Sequence, residues 1–353
     1  MAETDDRSRP HAAGDFVVRP VLTKDEPAVE RMFYECFGTQ RSISLWQWRW
    51  FGAPGSPGVA FVLESGGVPV GHWAGSTGDM WLGGRRKTLL LGGEIMVLPQ
   101  YRRRGGMQKL VATARTVADR TADVWIAFAT EEAARGSEAA GGPRVIGRMP
   151  TWVVWPRRIP HLPRAIGILA AQALKGWRGV VFSVLPCALV EGLGPLAWAD
   201  IDRLAESAAA FAPCMRIRDS GYIRWRWIDR PEGAVDMFAA RTRSGVFGGY
   251  AVVGIETVGT RRIGRVLDLL ARDRASLRGL LRRSLADLTA RDCEVITCDY
   301  LDPRPWSRSV LRTAGFIPRR GKVMSAVSTS TGAGTLPERL DSWYLTRGDT
   351  DVN

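Results

Sequence analysis

A tryptophan-rich segment occurs twice in this chain, and the repeat constrains the fold more than any other feature. Trp48-Arg49-Trp50-Phe51-x-x-Pro54 returns 177 residues later as Trp225-Arg226-Trp227-Ile228-x-x-Pro231. Downstream, GGVPVGHWAG (66–75) is echoed by SGVFGGYAVV (244–253), with Gly71 matching Gly249 at an offset of 178. Both copies then run into a basic turn, GGRRKTLLLGGEIMVL in the first half and GTRRIGRVLDLLA in the second. Two motifs at the same offset but for a single-residue slip, half of a 353-residue chain apart, define a duplicated domain rather than one large core.

Each half reads in the same order. An amphipathic helix (EPAVERMFYECF; DIDRLAESAAAF) precedes the Trp-Arg-Trp segment, and a hairpin with Ser-Gly in its turn follows. Then come a strand, a helix (MQKLVATARTVADR; LRGLLRRSLADLTARD) and a further strand (VWIAFAT; EVITCDY). This pattern predicts α/β domains, each a mixed, mostly antiparallel sheet flanked by helices. The expected divisions are a loose tail over 1–14, a first domain over 15–155 and an apolar, proline-broken connector of two short helices over 156–200. A second domain over 201–324 follows, then a terminal segment over 325–353, flexible across its Ser/Thr/Gly-rich part (325–337). The paired tryptophans read as aromatic cores within each repeat, and Arg49 and Arg226 as making equivalent structural hydrogen bonds.

The net charge is +13 and the isoelectric point near 10.2, almost all from arginine spread along the chain. Codon usage in a GC-rich genome gives such a composition; so does a preference for acidic partners, such as CoA phosphates or acyl carrier protein. Nucleic acid is not expected, because the tryptophans sit at repeat-related apolar positions rather than between basic residues. Five cysteines without paired spacing indicate reduced thiols and a cytoplasmic protein, and three scattered histidines offer no metal site. The polar, acidic start MAETDDRSRPHAAGD is no signal peptide. VVFSVLPCALVEGLGPLAW (180–198) is nearly apolar over the length of a bilayer span, but Pro186, Glu191 and Pro195 argue for buried or interfacial helices. Membrane contact is therefore peripheral at most. The sequence sets no oligomeric state.

Between the strand TLLLGGEIMVLP, stopped at Pro99, and the helix MQKLVATARTVADR stand Arg102, Arg103, Arg104, Gly105 and Gly106. Cations at a helix start oppose the helix dipole unless an anion joins them, whereas free N–H groups and glycine suit a close-lying phosphate. No G-x-x-x-x-G-K-[ST] loop and no dinucleotide fingerprint is present. The stretch Val97-Leu98-Pro99-Gln100-Tyr101-Arg102-Arg103-Arg104-Gly105-Gly106-Met107 resembles the acyl-CoA loop of GNAT N-acetyltransferases, [QR]-x-x-G-x-[GA]. Arg102 takes its first place and Gly105 its fourth, while Met107 stands where Gly or Ala is usual. The two halves and the terminal Trp343-Tyr344-Leu345-Thr346-Arg347-Gly348-Asp349-Thr350-Asp351 extend the resemblance, to tandem GNAT proteins, over most of the chain.

The resemblance implies acetyl-CoA or another acyl-CoA as donor, held in the first half by Arg102–Met107 with Thr130 and Glu131 at the border. The second half, ARDRASLRGLL (271–281), lacks the glycines and reads as a degenerate copy. A backbone N–H near Met96, Val97 or Leu98 would polarise the thioester. Glu94 is the candidate base, its alternative a partnered structural carboxylate. Ser137 falls where the family's tyrosine acid is expected, which leaves the acid open. Asp349 and Asp351 either fold back to the acceptor or form a solvated acidic tail. The implied activity is direct transfer, in a ternary complex, of an acetyl or longer acyl group to a primary amine of an amino-sugar or secondary metabolite. An acyl carrier protein as donor, or a non-catalytic scaffold for an acidic partner, are the alternatives.

Overall fold

A computed structural model describes residues 16–56, 58–194, 197–330 and 335–350. The first half runs β1 (Phe16–Pro20), α1 (Glu26–Phe37), α2 (Ile43–Phe51), β2 (Val59–Ser65), β3 (Val68–Leu82) and β4 (Arg85–Val97). It continues through α3 (Gly106–Thr121), β5 (Val124–Ala129), α4 (Glu131–Ala139), β6 (Arg144–Arg148) and β7 (Thr151–Val154). Helix α5 (Arg164–Val184) and strand β8 (Leu189–Gly192) then lead into α6 (Trp198–Ser207), β9 (Cys214–Arg216) and α7 (Ser220–Ile223), which runs on as a π-turn over Arg224–Ile228. The second half closes with β10 (Val235–Arg241), β11 (Phe247–Val258), β12 (Arg261–Ala271), α8 (Arg274–Ala290), β13 (Val295–Leu301), α9 (Pro305–Thr313), β14 (Ile317–Arg319), β15 (Val323–Ser328) and β16 (Leu345–Thr346).

Two sheets result, ordered β1-β2-β3-β4-β5-β15-β6 and β14-β7-β13-β12-β11-β10-β8. In each, one central pair is parallel (β4–β5; β12–β13) and the other neighbours are antiparallel. The halves exchange their last strands: β15 inserts between β5 and β6, and β7 between β13 and β14. A linear division at 155 and 324 therefore cuts through both sheets. It also places Ser325–Ser328, expected in a flexible tail, in the interior of the first sheet, where Met324 and Ala326 are buried. The connector likewise differs from two short helices: it is one 21-residue helix followed by an edge strand. Gly176 and Gly179 weaken that helix without ending it.

The repeated tryptophans explain how the halves meet. Trp50 and Trp227 are buried in the separate cores, as the repeat suggested. Trp48 and Trp225, one from each repeat, instead pack on each other with ring centroids 5.5 Å apart. Each indole N–H donates to the other's carbonyl, at 2.9 and 3.1 Å. Arg49 and Arg226 both reach the carbonyl of Thr350, at 2.9 and 3.3 Å, so the equivalent arginines hold the terminal segment from two sides.

Candidate functional site

A cavity of about 1030 Å³ lies between the two sheets. In the first domain it opens where β4 and β5 part. Their parallel pairing covers only Leu89–Gly92 against Val124–Ala127. Gly92 stands at the fork, where a Cβ would collide with the Trp125 indole, and Trp73 packs edge-on to Trp125 at 6.0 Å. Just beyond, the β3–β4 register shifts between His72 and Ala74, which leaves Glu94 and Ile95 out of the ladder. Glu94 has φ +50°, a left-handed conformation rare outside glycine and frequent at functional sites. The bulge turns Gly93, Glu94 and Ile95 toward the cavity.

Glu94 is held from below. Arg41 donates to its Oε1 and, at 3.0 Å, to Glu30. Burial pulls the Arg41 guanidinium down to about 10, against the pull of Glu30. The second oxygen of Glu94, the remaining Arg41 nitrogen Nη2, the Trp125 indole nitrogen and Arg230 Nε are all buried without a hydrogen-bond partner among the described residues. All four residues line the same cavity. An unpaired buried polar atom costs about 1–3 kcal/mol, so four around one space mark a place built for a polar ligand.

His72 supports the bulge from the core. Its Nδ1 lies 3.4 Å from the carbonyl of Glu94, which fixes it as donor because a carbonyl only accepts. Burial, then the nearby Arg41 charge, pushes His72 down from 6.5 to about 3. Between those values the unfolded imidazole is protonated and the folded one is not, so the unfolded state binds more protons and stability rises with pH. Unfolding free energies from urea titrations between about pH 5 and 6.5 should therefore climb by up to about 1.4 kcal/mol per unit, and a His72→Gln variant should show a flatter profile. Identical slopes in the two proteins would contradict this role.

The anion loop stands on the outer surface, outside the cavity lining. Arg102, Arg103, Arg104 and Gly105 are exposed. Arg103 has φ +61° and Gly105 φ +85°, and α3 begins without a side-chain cap. Arg102 turns back, its Nε donating to Val97 O at 2.9 Å, while Arg104 lies over the Tyr101 ring. Gly106 is buried against Leu63. Met107 reaches the neighbouring helix, where a Cβ on Gly136 would lie 3.3 Å from its Cε.

The corresponding corner of the second domain is closed. There Asp273 caps α8, accepting from the Ser276 N–H at 2.8 Å. The chain before β8 lies across the same helix, with Ala188 N–H bonded to Ala275 O and Arg278 to Pro186 O. A carboxylate already occupies the position an anion would take.

Of the residues singled out from the sequence, the cavity collects Glu94, Thr130 and Ser137. Thr130 caps α4, and Ser137 sits on that helix beside the turn at Gly141 and Gly142. Met96, Val97 and Leu98 are instead buried in the first core, and the Leu98 N–H is already bonded to Val70 O at 2.9 Å. The cavity-facing backbone is the bulge two to three residues earlier. Glu131 is exposed and paired with Arg135 and Arg148. Asp349 does not reach the cavity: it is buried against Arg218 and the Thr346 N–H, and burial pushes its carboxyl up. Asp351 lies outside the described residues. The residue of the terminal segment that does line the cavity is Arg347, 3.0 Å from Asp299. Arg41 and Arg347 were not singled out because Glu94 and Asp299 lie 53 and 48 residues away, and Arg230, inside the second Trp-Arg-Trp repeat, carried no signal of its own.

The geometry can be set beside known proteins. Residues 26–136 match the Acetyltransferase (GNAT) family. No curated protein matches the sequence. Among solved structures, the chain is similar to a GCN5-related N-acetyltransferase of Anabaena variabilis (11% identity, 90% of this chain and 74% of that one, TM-score 0.62). It is also similar to a GCN5-related N-acetyltransferase of Kribbella flavida (14%, 90% and 72%, 0.59). A third similar structure is Saccharomyces cerevisiae N-myristoyltransferase with bound myristoyl-CoA (11%, 89% and 79%, 0.60). At these identities the likeness is one of fold.

Proposed function

We propose that this chain, whose residues 26–136 match the Acetyltransferase (GNAT) family, is an acyl-CoA-dependent enzyme, that its first domain alone holds the donor and that the interdomain cavity holds a small amine. The observation that carries the proposal is the set of unpartnered buried atoms on Glu94, Arg41, Trp125 and Arg230 around one cavity. Its volume is at the upper end of the ordinary range for ligand sites, about 300–1,000 Å³, and leaves room for an acceptor beside an acyl group.

In this reading the pyrophosphate of CoA rests on the uncapped start of α3, and its pantetheine arm runs to the β4–β5 fork. A backbone N–H of the Glu94–Ile95 bulge, outside the β3–β4 ladder, polarises the thioester carbonyl. The amine nitrogen attacks the carbonyl carbon, the C–N bond forms, and the C–S bond breaks. Glu94 takes the amine proton, and Ser137 stands on the side of the leaving thiolate. Among the described residues that line the cavity there is no tyrosine to supply a proton.

Cations outnumber acids in the lining: Arg41, Arg148, Arg230, Arg265, Arg320, Lys322 and Arg347 face Glu94, Glu232, Glu256 and Asp299. This excess favours an amino-sugar or secondary-metabolite amine that also carries an acidic group, with Arg230 as its partner. A panel of amines with and without a carboxylate or phosphate tests this directly. Arg230→Gln should raise KM for the acidic amines by roughly tenfold, a charge-assisted hydrogen bond of about 1.5 kcal/mol, and leave neutral amines unchanged. Equal effects on both groups would remove Arg230 from acceptor recognition.

A further inference from the structure

Helix α5 shows the solvent a face that a surface helix normally turns inward. Its buried side is narrow and mostly small: Gly167, Ala171, Arg178 and Val181. On another side Ile166, Leu169, Ala173, Trp177, Val180 and Val184 recur at steps of three and four residues, forming one apolar stripe along about 27 Å. That stripe is uncovered. Leu169 is 64% exposed, Trp177 56% and Val184 74%, and Leu189, on the strand that follows, is 65% exposed. A large, contiguous exposed apolar surface marks a contact site.

The charges of the same segment point to what the stripe contacts. Residues 156–190 contain no Asp or Glu but include Arg157, Arg158, Arg164, Lys175 and Arg178. Arg157 is paired with Asp292 and Arg178 is buried, whereas Arg158, Arg164 and Lys175 are exposed. At about 100° per residue Arg164 and Lys175 fall on the far side of α5 from the stripe, roughly 140–160° around the helix from Trp177. An anionic lipid surface would meet both features at once, since apolar side chains enter the headgroup boundary while lysine and arginine on the polar face reach back to the phosphates. No described helix is long and apolar enough to cross a membrane, so the helix lies along the surface. We propose that α5 docks this protein on anionic membranes, with Trp177 as the inserted anchor.

The test uses the full chain and sedimentation with vesicles of phosphatidylcholine alone or mixed with phosphatidylserine. Binding to the anionic vesicles is expected, weakened by salt, together with a blue shift in tryptophan emission. Trp177→Glu combined with Val180→Glu should lower that binding at least tenfold. A second variant, Arg158→Ser with Arg164→Ser, leaves the apolar stripe intact and should weaken only the anionic binding. Absence of vesicle binding would overturn the proposal, as would equal binding by the double-glutamate variant. Light scattering closes the remaining case: a concentration-dependent dimer that the glutamates dissociate, without vesicle binding, would make the stripe a self-association face instead.

Discussion

Replacing Arg218 with methionine should lower the unfolding free energy by about 3–5 kcal/mol, the cost of leaving buried charge without its partner. The side chain is fully buried and each of its donors is engaged: Nε to Asp268 at 3.1 Å, Nη1 to Arg216 O at 2.9 Å, and Nη2 to Thr346 Oγ1 and Asp349. Asp268 also accepts from the Leu269 N–H and the Trp227 indole. The cluster joins β12 to the terminal segment, which threads between the domains under Arg49 and Arg226. Asp349→Asn should likewise destabilise the protein. Its kcat measured well below the new midpoint should be nearly unchanged, because the carboxylate lies outside the cavity. Urea denaturation of both variants supplies the numbers, and a loss below about 1 kcal/mol, the level of an average substitution, would mean the cluster matters little.

The second large effect concerns Glu94. Glu94→Gln keeps the shape of the side chain and one acceptor oxygen toward Arg41, but it removes the charge that would accept the amine proton. General-base loss of this kind reduces kcat by about 10²–10⁴-fold. Acyl-CoA affinity should be retained, since the loop is on the outer surface and Glu94 is in the cavity. A kcat within threefold of wild type would return Glu94 to a purely structural role as the partner of Arg41.

What could be read from the sequence follows from where the signal is local. The duplicated order of elements was visible because helical and strand periodicities are local, and so was the loop, because Arg102–Gly106 are contiguous. Strand exchange was not visible. Thr151–Val154 and Val323–Ser328 carry the same apolar residues whichever sheet they join, and only three-dimensional register assigns them. The bulge at Glu94 was equally hidden, because nothing in GGEIMV marks where the β3–β4 register slips. The terminal GDTD motif stayed open between a fold-back to the acceptor and a solvated acidic tail, because Arg218, the partner of Asp349, lies 131 residues away. Arg41 is 53 residues from Glu94, and Arg230 has no local pattern at all. Long-range ion pairs leave no trace in a single sequence.

The asymmetry between the two helix starts is the centre of the account, and calorimetric titration of acetyl-CoA and of a long-chain acyl-CoA tests it most directly. Gly105 sits at φ +85° before an uncapped α3, whereas Asp273 fills the equivalent place before α8. Gly105→Glu sets both a carboxylate and a strained side chain at the first site; Asp273→Ala only opens the second. One donor site per chain, lost in Gly105→Glu and kept in Asp273→Ala, is the predicted result. Two sites per chain, or binding that survives Gly105→Glu in a folded protein, would contradict the assignment of the donor to the first domain.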